Sequence, residues 1–176
     1  MSVTPMSESA YKGRMQRLCL IIAAAVFVAD QISKPIVLSA FGADTCVPAF
    51  ERVAVLPFFN LVLVCNQGVS FGLFSTDWVY APFILAAMAI VIAMVVWWVF
   101  VRGSERLLTV LAGGLVIGGA FGNALDRVLY GAVVDFLDLH VAGYHWPAFN
   151  IADCAIVVGA ALFVWDALFG RSNTPT

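Results

Sequence analysis

The sequence predicts an all-α integral membrane protein: a four-transmembrane-helix bundle with a small extracytoplasmic β-sheet. Three observations lead there. Of 176 residues, 62% are hydrophobic and 11% charged, where a soluble domain carries roughly 25% charged residues. Mean hydropathy is +0.98, so lipid must solvate much of this apolar surface. The apolar residues also gather into four stretches, each near the roughly 20 residues that a helix needs to cross a bilayer. The net charge of −2 offers no basic footprint for nucleic acid or for a polybasic membrane-surface binder.

Taken in order, residues 1–13 read as a short disordered cytoplasmic tail. The first span covers residues 18–40 and contains Asp30 and Lys34; Pro35 is expected to kink it or end it early. It follows Lys12, Arg14 and Arg17 as a signal peptide would. It lacks a small-x-small cleavage site in good context, however, and three more spans follow. Residues 41–78 form an outer connection. Within it, residues 52–55 and 58–64 are β-branched and aromatic, with Pro57 between them, and read as short strands lying on the membrane surface. The second span, 79–101, carries no charge. The third, 107–125, has Gly113, Gly114, Gly118, Gly119 and Gly122, which permit close helix packing. Residues 126–148 form a second outer connection. The fourth span, 149–169, has Asp153 in its first turns and Asp166 near its end. Residues 172–176 read as a disordered tail, and the whole chain, 1–176, reads as one domain. Cys19 and Cys154 lie in apolar stretches and read as small core residues. Cys46 and Cys65 both fall in the first outer connection, where a disulfide has room to form but nothing in the sequence requires it.

Orientation follows from the basic residues. Lys12, Arg14, Arg17, Arg102, Arg106 and Arg171 fall on one side of a four-span chain. Lys34, Arg52 and Arg127 fall on the other side or at its boundary. The positive-inside rule then places both termini in the cytoplasm.

Ionisable groups in or beside a span are costly, and each one raises a functional question. Asp30 and Lys34 are i and i+4 on one helix face; a neutralised pair, or a lysine reaching for the interface, explains them as well as support of a site does. Asn66 and Gly68 suggest a tight polar turn. Asn123, Asp126 and Arg127 place an amide and an ion pair at the outer end of the third span. Asp135 is flanked by apolar residues, an awkward setting for a solvated carboxylate, whereas Asp138 reads as exposed. Asn150 and Asp153 fit an N-cap and its third helical residue. That cap does not explain why Asp135 sits beside apolar sequence at the same membrane face. Two carboxylates meeting at a partly dry site share a proton and make an acid/base pair. Asp135 and Asp153 are eighteen residues apart, which permits such a meeting without proving it. No CxxC or HExxH motif is present, and no metal site or cofactor is expected.

Five blocks then resemble a known family in order and along nearly the whole chain. They are Asp30 to Lys34, Phe59 to Phe74 with Asn66 and Gly68, Gly118 to Arg127 with Asn123 and Asp126, Val133 to Phe136 with Asp135, and Phe149 to Asp153 with Asn150. The chain resembles the bacterial type II signal peptidases, the lipoprotein signal peptidases. The resemblance implies a membrane aspartyl peptidase of four helices with an extracytoplasmic β-cradle. It implies a catalytic dyad of Asp135 and Asp153. Asp30, Lys34, Asn66, Gly68, Asn123, Arg127 and Asn150 would line or support the site, with Asp126 as a structural partner. It further implies diacylglyceryl-modified prolipoproteins as substrates, cut on the amino side of the lipid-modified cysteine. Membrane lipids are expected partners, globomycin an expected inhibitor, a monomer the expected state, and the bacterial inner membrane the expected location.

Two rivals stand beside this reading. A small proton-coupled transporter or channel would also use intramembrane Asp and Lys, but here the polar groups collect at one face and the second span has no charge. A Ser/Lys peptidase would use Ser33 and Lys34, yet adjacent helical residues point in different directions.

Overall fold

The computed structural model describes residues 7–47, 49–68 and 79–170. Four helices long and apolar enough to cross a membrane are present among them. They are α1 (Glu8–Ala40), α2 (Ala81–Val95, continued by a π-helical segment Val96–Val101), α3 (Leu107–Tyr130) and α4 (Ile151–Phe169). Ser7 caps α1 by accepting a hydrogen bond from the Ala10 amide, so residues 8–13 are helical and not a disordered tail. Pro35 lies inside α1 without ending it. Its missing N–H and the crowded carbonyl one turn back cost helix stability, but the helix continues to Ala40. Residues 171–176, including the expected C-terminal tail, fall outside the described residues.

The bundle is organised around α3. Most of its membrane-crossing window is buried, against about a fifth for the other three helices, and it packs on α1, α2 and α4. The glycines are the reason. A Cβ on Gly119 would sit 2.5 Å from the Ala152 carbonyl oxygen, and one on Gly122 would sit 2.5 Å from Asp30 Oδ2. Both separations are too short for any side chain, so α1 and α4 approach α3 only because these positions are bare. The other helices turn large apolar side chains outward, such as Ile21, Phe83, Trp98 and Val157, as lipid solvation requires.

α3 extends about a turn beyond the expected limit at residue 125 and ends at Gly131, whose φ of 71° is the left-handed cap. Asp126 and Arg127 are therefore helical. The chain then enters a sheet of four antiparallel strands in the order β1 (Ala49–Leu56), β2 (Phe59–Asn66), β3 (Val133–Val141) and β4 (Tyr144–His145). The first outer connection supplies two strands, as the sequence suggests, and the second supplies the other two. Leu38, Leu63 and Val134 form a small apolar cluster that seats the sheet on the C-terminal end of α1. Cys46 and Cys65 form a disulfide beside it. Cys19 is buried as expected, whereas Cys154 is exposed: an apolar stretch in lipid has an outward face, and Cys154 is on it.

A bulge in β2 decides what faces the site. Asn60 pairs with Asp138 and Leu61 with Leu137, but Val64 pairs with Asp135. β2 therefore spends one extra residue between Leu61 and Val64. Side chains alternate along a strand, so this extra residue brings Asn66 onto the face of Asp135.

Candidate active site

The last turns of α3, the start of α4, the C-terminal half of α1 and the β2–β3 pair meet at one end of the bundle. Asp135 lies on β3 and is 1% exposed. Each of its oxygens accepts from an amide. Asn66 Nδ2 donates to Oδ2 at 2.9 Å, and Asn150 Nδ2 donates to Oδ1 at 2.7 Å. Burial pushes the Asp135 carboxyl up to about 7; the Asp153 charge adds to this, while the hydrogen bonds from Asn66 and Asn150 and the charge of Lys34 pull the other way.

Asp153 is held by a capping box. Asn150 Oδ1 accepts from the Asp153 amide at 3.0 Å, and Asp153 Oδ2 accepts from the Asn150 amide at 3.3 Å. The N-cap expected from the sequence is therefore real, and it also serves the site. The same Asn150 side chain touches both aspartates. Asn123 Nδ2 donates to Asp153 Oδ1 at 2.7 Å. Unlike Asp135, Asp153 is half-buried and lines an apolar groove of about 640 Å³ with Leu139, Trp146, Phe149 and Val157. Main-chain bonds fix the spacing between β3 and the segment that leads into α4: Leu137 donates to the Phe149 carbonyl at 2.8 Å, and Phe149 donates back at 3.1 Å.

The residues expected to support the site converge here. Lys34 Nζ is 2.6 Å from Asp30 Oδ2 and 2.7 Å from Asp126 Oδ2, with all three groups buried. Lys34 does not reach for the interface, and Asp126 pairs with it instead of with Arg127. Arg127 donates to the Asn123 carbonyl at 3.1 Å and lies within reach of the charges of Asp153, Asp126 and Asp135. Gly68 has a φ of 75°, and its amide donates to Asn66 Oδ1 at 2.8 Å, the polar turn expected from the sequence. A Cβ there would meet Leu85 Cδ1 at 2.7 Å, with Arg127 at 3.7 Å, so the turn needs glycine for both conformation and space. Residues 69–74 of the second matching block fall outside the described residues.

Asp138 is not exposed. Three residues from Asp135, it points to the opposite face of β3, where it is buried. It accepts from Asn60 Nδ2 at 2.8 Å and from His145 Nδ1 at 2.8 Å. Burial raises its pKa, but the bonds from Asn60 and His145 outweigh this and hold the carboxyl below its usual value. Arg52 reaches His145 Nε2 at 3.2 Å, so one polar side chain from each strand joins a ladder across the sheet. Sequence reasoning missed this ladder and also missed Gln31, whose Nε2 donates to Asp30, Asp126 and the Gly122 carbonyl. Asn60 is a lone polar residue inside an apolar strand, and that was the available signal.

A profile of the family described as Signal peptidase (SPase) II matches residues 22–169. The chain is similar to "Lipoprotein signal peptidase" of Janthinobacterium sp. (strain Marseille), with 42% identity over 147 residues, 84% of this chain and 86% of that protein. It is equally similar to "Lipoprotein signal peptidase" of Polynucleobacter necessarius subsp. necessarius (strain STIR1), with 42% identity over 156 residues, 87% and 92% of the two chains. A solved structure titled as a bacterial membrane enzyme, obtained by the in meso method at 1.9 Å resolution, superposes with a TM-score of 0.71 at 30% identity and covers 87% of this chain and 94% of its own. With four membrane-crossing helices, a small antiparallel sheet and a match over most of its length, the chain belongs to the signal peptidase II family of membrane proteases.

Proposed function

We propose that this protein is an aspartyl endopeptidase that removes the signal peptide from diacylglyceryl-modified prolipoproteins, cutting on the amino side of the lipid-modified cysteine. One observation carries the reading: two carboxylates of different burial both accept from Asn150, Asp135 from its side-chain amide and Asp153 from its main-chain amide, and Asp153 faces an apolar groove. Asp153, facing the groove, is the general base and takes a proton from water. The water oxygen attacks the scissile carbonyl carbon while Asp135 gives its proton to the carbonyl oxygen. The tetrahedral intermediate then collapses, the C–N bond breaks, the new cysteine amine takes the proton from Asp153, and the second hydroxyl returns its proton to Asp135. The two amides on Asp135 suit this role. A protonated carboxyl accepts on both oxygens and still has one proton to give.

Two independent features support the location. Lys12, Arg102 and Arg106 gather at the end opposite the site, where Gln16 donates to the Arg102 carbonyl and Tyr11 to the Glu105 carbonyl; the positive-inside rule assigns that end to the cytoplasm. The Cys46–Cys65 disulfide lies at the site end, and disulfides persist in oxidising compartments. Both support a site at the outer face of the inner membrane with cytoplasmic termini. The apolar groove opens along the lipid-facing side of α4, which suits a substrate whose acyl chains remain in the bilayer. The protein acts as a monomer on this reading, and globomycin inhibits it.

Purified protein, a diacylated prolipoprotein peptide and its unmodified counterpart test the proposal. The diacylated peptide is cut before the cysteine, the unmodified one far more slowly, and Asp135→Asn and Asp153→Asn each lose about 10²–10⁴-fold in turnover. Equal cleavage of both peptides removes the lipid requirement, and full activity of a folded Asp153→Asn protein removes the dyad.

A further inference from the structure

The main chain around the dyad is gripped at two matching points. Asp126 Oδ2 accepts from the Val134 amide at 3.1 Å, one residue before Asp135. Asp30 Oδ1 accepts from the Ala152 amide at 3.0 Å, one residue before Asp153. These two carboxylates come from different helices, α3 and α1, and the same Lys34 ammonium lies against both, at 2.7 and 2.6 Å. We propose that Lys34 is a positioning residue that sets the separation of Asp135 and Asp153, acting through Asp126 on the strand that carries the first and through Asp30 on the helix that carries the second.

The geometry suits a spacer. Lys34, Asp30 and Asp126 are each 0–1% exposed, so water does not screen or replace the contacts. Asp30 takes Lys34 and Gln31 on Oδ2 and the Ala152 amide on Oδ1, whereas Asp126 takes Gln31 on Oδ1 and both Lys34 and the Val134 amide on Oδ2. Gly122 is bare beneath Asp30 Oδ2, which lets the carboxylate lie flat on α3. A purely stabilising ion pair would need one carboxylate and no backbone partner. Here each carboxylate ends on the residue just before a reacting group, and Lys34 Nζ also comes within 3.4 Å of Asn123 Oδ1, whose amide holds Asp153. Lys34 also acts on the dyad through space, since its charge favours the ionised form of Asp135. The charged groups facing Asp135 are then Lys34, Asp153 and Arg127.

The inference rests on the dyad reading, and two substitutions separate the two. Lys34→Met removes the spacer and its charge. Asp30→Asn releases only the α4 arm and leaves one ammonium against one carboxylate, an arrangement that still folds if the larger change does not. Turnover of the diacylated peptide is measured per folded molecule across pH. A misplacement of about 1 Å at the reacting groups costs about 10²-fold, so both variants lose kcat by about that factor with KM little changed. The pH bell moves in opposite directions: to higher pH in Lys34→Met, where a positive charge is lost, and to lower pH in Asp30→Asn, where a negative one is lost. A merely structural role lowers the folded fraction but leaves kcat per folded molecule and the bell where they were. That result in Asp30→Asn alone overturns the proposal. Asp135→Asn and Asp153→Asn run alongside; if they keep turnover, the dyad reading fails, whatever Lys34 does.

Discussion

Replacing Asp135 with asparagine should change how stability depends on pH, and the direction can be worked out from its neighbours. An isolated carboxyl titrates near 3.8, and burial raises Asp135 to about 7. Because the folded value lies above the unfolded one, the stability this group contributes is fully present below about pH 4 and is lost as pH rises through 7. Three pKa units correspond to about 4 kcal/mol at most. Asparagine abolishes this loss because it does not ionise. It carries a separate cost. Asn66 and Asn150 both donate to Asp135, and their own oxygens are committed to the Gly68 and Asp153 amides. Neither amide can flip without breaking its turn or cap. An asparagine offers one acceptor, so one donor is left facing an NH₂ group, at about 1–3 kcal/mol. The variant should therefore be less stable than the parent at about pH 3.5, where the Asp135 contribution is still present, and more stable at about pH 9, with the curves crossing between. Thermal unfolding in detergent at each pH reads this out, at about 2–4 °C per kcal/mol for a chain of this size. Parallel curves for the two proteins would show that Asp135 does not titrate as described, and would refute both the crossover and its assignment as proton donor.

Other outcomes follow from the same geometry. Asp138→Asn should loosen the sheet without entering the chemistry: its depressed pKa means that the stability it gives is present above the usual carboxylate range and lost as pH falls through the folded value, so the variant should lose the parent's acid-side melting step in this region. Breaking the disulfide with Cys46→Ser and Cys65→Ser, which opens a loop spanning 19 positions, should cost about 3 kcal/mol, read as a lower melting temperature with the helices intact. A reporter inserted at Gly143, in the β3–β4 turn, should lie outside the cytoplasm, and one at the C-terminus inside; the reverse pattern would place the carboxylates on the cytoplasmic face.

Several features of the fold could be read from local sequence because they depend on local physics. A span needs only length and apolarity, and each of the four expected stretches falls on one of the four long apolar helices, although the first helix begins at Glu8 and not at residue 18. The glycine run of α3 pointed to close packing, and Gly119 and Gly122 do face backbone and carboxylate at contact distance. Asn150 and Asp153 fit a cap by spacing alone, and the cap is present. Errors came where a side chain's direction depended on distant partners. Asp138 reads as exposed in the sequence, and only the register of β3 against β2 shows that it faces Asn60. Cys154 reads as core but is exposed, because an apolar stretch does not show which face meets lipid.

By itself, the sequence determined that the chain lives in a membrane, how many times it crosses, and which carboxylates sit where a solvated acid would not, since hydropathy and ionisation costs are properties of short segments. Only the tertiary structure decided which groups meet. The extra residue in β2 puts Asn66 on the face of Asp135. The partner of Lys34 is Asp126, 92 positions away, as well as its own helix neighbour Asp30. Asp135 is buried while Asp153 lines the groove. Each of these depends on packing between elements far apart in the chain, and that packing, through burial and hydrogen bonding, makes two identical side chains chemically different.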